Sequence, residues 1–196
     1  SIETPSPSPS VPPGVTPSPS PDVSRRGVAV YLGFFGLPGD GVLDLLSGYG
    51  VTACFFLTAE DVLESPDTVR RLLASGHRAG VLCGEDPGSD YQETSALIFE
   101  AAQEKTLFVA AYPEYSEALR QWALENSMAC VDFDIMSLPG SALSARNITG
   151  RLEASTGSVF LCLGAGEADA GTLSRVLEHL AEYEYSLPPL QEGDAA

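Results

Sequence analysis

The sequence GVLDLLSGYGVTACFFLTAEDV, residues 41–62, and the sequence SPDTVRRLLASGHRAG, residues 65–80, decide the fold of this chain. An apolar helical segment begins at Gly41 and leads into the run 51–58, whose β-branched and aromatic residues favour a strand. Ser65 before Pro66 is typical of a helix start, with serine as the cap and proline at the first helical position. A glycine closes that helix, and a further apolar strand follows it.

The rest of the chain continues this alternation of strand and helix. Strands are predicted at residues 27–32, 51–58, 77–83, 106–111, 129–135 and 158–163, with 185–187 as a candidate seventh. Helices are predicted from residue 41 and over 65–76, 90–105, 114–126, 143–155 and 170–183. Alternation of this kind builds a parallel sheet, either doubly wound or closed into a barrel. In both architectures ligands bind at the carboxyl ends of the strands.

The charge of the chain excludes two classes of partner. The formal net charge is −17, from 27 acidic against 10 basic residues. Such a chain is repelled by phosphate backbones and by anionic lipid, so we expect no nucleic-acid partner. The apolar runs have the length of strands, well below the roughly 18 residues of a transmembrane helix, so we expect no membrane insertion by this segment.

The chain divides into three regions by composition. Residues 1–26 begin with a segment rich in proline and serine, which cannot bury enough apolar surface to order itself and is predicted to be a disordered stalk. Residues 27–190 form the predicted domain, and residues 191–196 a flexible tail. We expect the stalk to hold the domain outside the cell or at its surface, tethered through an N-terminal signal or anchor that has been removed.

The four cysteines, Cys54, Cys83, Cys130 and Cys162, each lie in or beside an apolar strand-like run. None of them belongs to a C-x-x-C pair. We expect four buried thiols that pack as small apolar groups. A disulfide or a thiolate metal site stays open as an alternative, because strands that are distant in sequence can converge in a parallel sheet.

Three segments together resemble the NodB-type polysaccharide deacetylases. They are the two segments quoted above and TGSVFLCLGAGEADAGTLSRVLEHLAEYEY, residues 156–185. The first matches a leucine-rich helix followed by GV-x-ATFF, and the second matches P-x-x-V-x-x-L-x-x-x-GH-x-x-G. The third matches the late strand and helix of that family. The resemblance covers residues 27–190 and implies a distorted (β/α) barrel of about six or seven parallel strands.

The resemblance also implies a metal-dependent activity, the hydrolysis of N-acetyl groups on polysaccharide. In that family a first-strand T-F-D-D-G motif supplies a base and a metal ligand, and an N-H-[ST]-x-x-H motif supplies two histidine ligands. An R-P-P-[YF]-G motif and a late histidine complete the site. The ligands hold a divalent cation, and a carboxylate deprotonates its water.

This chain departs from the family at each of those positions. The two acids of the first motif correspond to Phe34 and Phe35, and the two histidines correspond to Leu82 and Asp86. The fourth-strand motif falls near Tyr112 without an arginine, and the late histidine corresponds to Leu163. We therefore predict no catalytic residue, no metal ligand and no cofactor. The six positions are candidates for the lining of a degenerate cleft, with an apolar floor where the metal would lie.

Other chemistry-bearing residues have simpler explanations. Asp132 and Asp134 alternate along a predicted strand, and such a pair can do acid–base work or bind a cation, but polar residues commonly line a strand end without reacting. The histidines, His77 and His179, are expected to be packing or surface residues.

Three hypotheses for function follow. The first is a catalytically degenerate deacetylase-like domain outside a bacterial cell that binds cell-wall glycan or a protein partner. The second is an active hydrolase with a relocated site built from Asp86, Asp132 or Asp134 around a metal. The third is a structural scaffold module.

Overall fold

Seven parallel strands form one curled sheet in the computed structural model of this chain, which describes residues 25–194. The strands are Val30–Phe35 (β1), Cys54–Leu57 (β2), Arg78–Cys83 (β3), Phe108–Ala111 (β4), Ala129–Cys130 (β5), Ile135–Ser137 (β6) and Val159–Gly164 (β7). Their order is β5-β4-β3-β2-β1-β7-β6. This curled, helix-covered sheet is a distorted (β/α) barrel, so the predicted fold class is confirmed. The predicted stalk up to residue 24 and the last two residues of the predicted tail lie outside the described residues.

Seven helices cover the outside of the described sheet. They are Asp40–Tyr49 (α1), Ala59–Glu64 (α2), Pro66–Ala74 (α3), Pro87–Ala102 (α4), Ser116–Glu125 (α5), Ala145–Ala154 (α6) and Ala170–Glu182 (α7). The predicted start of α3 is confirmed, with Ser65 at the cap position and Pro66 in the first turn, although the Ser65 side chain makes no capping hydrogen bond. Helix α2 was not predicted; its signal is a capping box in which Thr58 and Asp61 bond each other's backbone N–H groups. Within residues 25–194, no helix combines the length and apolar character needed to cross a bilayer.

Alternate residues of each strand face the helices or the interior of the barrel, as extended backbone requires. The outer layer between sheet and helices includes Leu32, Phe34, Phe55, Leu57, Val81, Leu161 and Leu163. The interior includes Phe35, Cys54, Phe56, Leu82, Phe108, Ala110 and Cys162. Both sides of the sheet are therefore dry, which explains why its strands are apolar along their whole length.

The predicted fifth strand, residues 129–135, is wrong as a single element. Strand β5 pairs with β4 at one edge of the sheet, whereas β6 pairs with β7 at the opposite edge. Residues 131–134 cross between the two edges, held by Val131 N–H donating to the Val109 carbonyl and Asp134 N–H donating to the Phe160 carbonyl, both at 2.9 Å. Alternation of apolar and acidic residues predicts an extended chain, but it does not distinguish a strand from a crossing segment.

The predicted seventh strand, residues 185–187, is also wrong. Only one parallel bridge forms there, between Ala29 and Ser186. The ends of the described chain are nevertheless anchored. Arg25 of the predicted stalk donates to two carbonyl oxygens near the end of α6, and Asp194 of the predicted tail accepts a hydrogen bond from the Tyr31 hydroxyl at 3.2 Å.

The crossing segment carries Phe133 into the interior of the barrel. Its ring meets the rings of Phe35 and Phe56 edge to face, with both centroid distances 5.8 Å. It lies over Gly33, where an added Cβ would come within 2.6 Å of the Phe133 ring. The space among Phe56, Phe133, Tyr31, Phe160 and Leu190 has about 0 Å³ open to a water molecule. The interior is therefore filled by aromatic side chains.

His77 is a packing residue, as expected. It is buried, its Nδ1 accepts the Ala53 N–H at 3.1 Å, and its ring meets Phe55 edge to face. Burial lowers the pKa of His77. His179 on α7 lies against Tyr183, and burial lowers its pKa as well.

Gly33→Ala is expected to lower the free energy of unfolding by about 1–3 kcal/mol, because the new methyl group overlaps the Phe133 ring. Adding Phe133→Leu should recover part of that loss, so the double variant will be more stable than the sum of the two single effects. Urea denaturation measures all three proteins. As a control, Gly171→Ala on the exposed side of α7 meets no atom within 4 Å and should be neutral or stabilising. If the stability losses of the two single variants simply add in the double variant, the contact between residue 33 and the Phe133 ring is contradicted.

His77→Asn is expected to flatten the pH dependence of stability below neutrality. Since burial lowers the folded-state pKa, the unfolded chain binds a proton near pH 6.5 before the folded chain does. The stability that neutral His77 contributes to the folded state is therefore complete above that pH and is lost as the pH falls through the folded-state pKa. Asparagine Oδ1 can still accept the Ala53 N–H. Denaturation between about pH 7 and pH 5 should show that the free energy of unfolding changes less with pH in His77→Asn than in the wild type. His179→Gln should reduce this pH dependence independently. If both variants keep the wild-type pH dependence, the two histidines do not cause it.

Candidate functional site

The carboxyl ends of the parallel strands meet at one end of the barrel, which we call the mouth. It is formed by the residues that follow each strand, among them Gly36, Thr58, Gly84 and Tyr112. Side chains from distant parts of the sequence converge there, and in barrels of this kind the mouth is where ligands bind. The six predicted cleft positions were therefore located relative to it.

Phe34 and Phe35, at the end of β1, point to opposite sides of the sheet. Phe34 is fully buried in the outer layer, where its ring stacks on Phe55 with a centroid distance of 4.9 Å. Phe35 points inward, with ring centroids 5.2 Å from Tyr112 and 6.0 Å from Phe56. Only the second of the two positions faces the interior.

The same division applies to the two leucines. Leu82 on β3 faces the interior with Phe35, whereas Leu163 on β7 lies in the outer layer and is in register with Phe34. The apolar floor thus contains Phe35, Leu82 and Tyr112, and the expectation that Phe34 and Leu163 belong to it is corrected. Phe133 completes the floor. Its inward direction does not follow from the sequence, because the alternation over 129–135 predicts a single strand.

Asp86 holds the start of a helix. It is exposed, and its carboxylate accepts the Ser89 N–H at 3.1 Å as the cap of α4. Nearby, Asp90 accepts the Gly84 N–H at 2.7 Å and so fixes the turn that follows β3. Both carboxylates have structural partners, which is typical of acids at the first turn of a helix.

Asp132 and Asp134 do not form a pair. Asp132 lies 3.2 Å from the Nε of Arg120 on α5, and that hydrogen bond raises the pKa of the guanidinium. Asp134 accepts the Phe160 N–H at 2.8 Å at the other edge of the sheet. The hypothesis of paired carboxylates is therefore wrong, since each acid secures one end of the crossing segment.

Tyr112 is the polar group that reaches the floor of the mouth. It is half-buried, and burial raises its pKa, with further contributions from Cys162, Asp61 and Glu114. The phenol is therefore neutral at ordinary pH and can donate a hydrogen bond. Tyr115, three residues further along, is also half-buried, but it packs against the outer layer between the sheet and the helices. The mouth thus presents one aromatic side chain with a hydroxyl group, that of Tyr112.

The four cysteines are buried and free, which confirms the prediction of packed thiols and excludes a disulfide among them in this structure. Burial raises the pKa of Cys83 to about 12 and that of Cys130 to about 11. Burial also raises the pKa values of Cys54 and Cys162. Thiols in this state are poor nucleophiles and poor metal ligands.

The residues present do not fit the divalent cation that the resemblance implies. Phe35 and Leu82 have no donor atom, and Asp86 is occupied as a helix cap. Nowhere in the part of the chain that the structure describes do three histidine, cysteine or acidic side chains come together as a ligand set. A structural or catalytic zinc needs at least three such protein ligands. No hydrolytic step through a metal can be built from this mouth.

Comparison with known proteins agrees with the fold. No protein-family profile matches the chain. A family 4 carbohydrate esterase from Streptomyces lividans, solved with acetate, has a TM-score of 0.72 at 16% identity, covering 86% of this chain and 95% of that one. A mutant of BA3943, described as a CE4 family pseudoenzyme with restored enzymatic activity, has a TM-score of 0.69 at 14% identity, covering 83% and 65%.

Among curated proteins, the peptidoglycan-N-acetylglucosamine deacetylase PgdA of Listeria monocytogenes is 24% identical over 162 residues. The match covers 78% of this chain and 35% of the Listeria protein, so this chain spans about a third of that relative's length. The resemblance to the NodB-type polysaccharide deacetylases is confirmed at the level of the fold.

Zinc is expected to leave the thermal stability of the wild-type protein unchanged, because the mouth offers no ligand set. A site filled at 100 times its Kd would instead stabilise the fold by about 2.7 kcal/mol, which raises Tm by several degrees. Thermal melts with zinc and with EDTA make the comparison. Asp86→Asn is the matched variant, since asparagine also caps helices. A zinc-dependent rise in Tm that disappears in Asp86→Asn would show a metal site at the mouth.

Proposed function

We propose that this chain is a catalytically degenerate polysaccharide deacetylase-like domain that binds cell-wall glycan at the mouth without hydrolysing it. The observation that carries the proposal is the packing of Phe35 and Leu82. They stand where the family has metal ligands, and they lie in an interior filled by Phe56, Tyr112 and Phe133. The side chains that would hold a cation are replaced by side chains that hold the barrel together.

Hydrolysis of an N-acetyl group needs an activated water and a base within reach of it. The carboxylates of the relocated-site hypothesis are engaged elsewhere. Asp86 caps α4, Asp132 pairs with Arg120, and Asp134 holds the Phe160 N–H. These separate engagements argue against an active hydrolase with a relocated site.

The similar proteins support two parts of the proposal, the glycan ligand and the loss of activity. The Listeria protein is named for peptidoglycan N-acetylglucosamine, which supports cell-wall glycan as the ligand class. BA3943 is described as a pseudoenzyme, so the fold also occurs where the activity has been lost. We extend both properties to this chain. A location outside the cell, with residues 1–26 as the stalk, is part of the same proposal.

The mouth keeps features that suit a sugar. The ring of Tyr112 is partly exposed and offers a flat apolar face with a polar end. Glu114, two residues further along, is exposed and supplies a hydrogen-bond acceptor. Binding of this kind requires neither a metal nor a deep cleft, so it is compatible with a filled interior.

The test joins an activity assay to a binding assay. Wild-type protein should release no acetate from N-acetylglucosamine oligomers, with or without zinc, and should still sediment with insoluble peptidoglycan. Tyr112→Ala should weaken that binding about five- to tenfold, corresponding to about 1–1.4 kcal/mol for a stacked ring. Tyr112→Phe keeps the ring at the floor and should lose less.

The control is Tyr49→Ala, which removes an exposed tyrosine from α1. Acetate release that depends on Asp86 would establish the hydrolase hypothesis and overturn the proposal. Absence of sedimentation by the wild-type protein would favour the scaffold hypothesis instead.

A further inference from the structure

A second surface lies away from the mouth, beside the edge strand β5. We call it the edge groove and define it by Leu107, Ala123, Leu124, Met128, Ala129 and Cys130. Its volume is about 660 Å³. Leu124 on α5 is 84% exposed and Leu107 before β4 is 37% exposed, so two leucines face solvent across one depression. Large apolar side chains grouped in this way mark a surface that binds another molecule.

The backbone of β5 has unused hydrogen-bonding groups on the side away from β4. The N–H groups of Ala129 and Val131 donate to the carbonyls of Leu107 and Val109 on β4, at 2.8 and 2.9 Å. Because successive residues of a strand alternate, the N–H and C=O of Cys130 point away from β4. Since β5 has two residues and Cys130 is 4% exposed, this edge offers an added chain at most one pair of backbone hydrogen bonds, and the apolar side chains supply most of the contact surface.

The charge of the rim indicates what kind of chain fits. Arg120 is already neutralised by Glu117 at 2.7 Å and Asp132 at 3.2 Å. Glu192, on the opposite side of the groove, is exposed and has no ion pair within residues 25–194. The rim therefore carries excess negative charge. A second copy of this chain, with its own net charge of −17, is repelled, whereas a basic segment is attracted.

We propose that the edge groove binds an extended segment of a basic partner polypeptide. The segment lies beside β5, packs apolar side chains against Leu107 and Leu124, and places a lysine or arginine near Glu192. Its affinity comes mainly from the leucine contacts, and its specificity comes from the alternate side chains of an extended chain. The proposal is independent of glycan binding, because the edge groove and Tyr112 share no residue.

A synthetic peptide tests the proposal on the full chain. The probe is N-acetyl-KLTLTLK-amide, titrated to about 1 mM into ¹⁵N-labelled protein while amide shifts are followed. We expect saturable shifts at residues 107, 124 and 128–130. Leu124→Ser should weaken binding at least about fivefold, and Glu192→Gln should weaken it most at low salt. The matched control is Leu63→Ser, which removes another exposed leucine, on α2, and should bind as the wild type does.

Three results would overturn the proposal. The peptide N-acetyl-KSTSTSK-amide has the same charge without the leucines; equal binding of this peptide would mean that charge alone attracts it. Shifts at these residues that grow with protein concentration in the absence of peptide would assign the groove to a second copy. Absence of any shift there with the leucine peptide would show that the groove does not bind strands.

Discussion

The contact between the Phe133 ring and the bare backbone of Gly33 is the constraint around which the barrel is arranged. The sheet has two free edges, β5 and β6, and the chain must pass from one to the other through residues 131–134. That passage carries a ring into the interior, and only a residue without a side chain on β1 leaves room for it. Phe35 and Phe56 then pack their rings against its edge and face.

This packing decides what chemistry the mouth can perform. An interior filled with aromatic rings excludes water, and a buried charge there would have to be paired or coordinated to be tolerated. Each buried aromatic side chain instead contributes about 1.5–3 kcal/mol through removal of apolar surface from water. The acids that remain near the strand ends serve the backbone: Asp86 caps a helix, and Asp134 secures the crossing segment.

Two surfaces remain available for recognition, and they differ in character. The mouth presents the partly exposed ring of Tyr112, which suits a sugar, whereas the edge groove presents leucines and an acidic rim that suit a polypeptide. Under the two proposals above, one molecule engages a glycan and a protein at surfaces that share no residue.

The amino-acid sequence by itself determined the alternation of strands and helices, the start of α3 at Ser65 and Pro66, and the apolar character of positions 35 and 82. These properties are local, because caps, periodicity and motif spacing act over a few residues. Only the tertiary structure decided that 129–135 divides between two edges, that Phe34 and Leu163 face the helices, and that Phe133 fills the interior. Strand pairing and side-chain direction depend on contacts between residues far apart in the chain, and a pattern of alternating apolar and polar residues is the same whichever edge receives it.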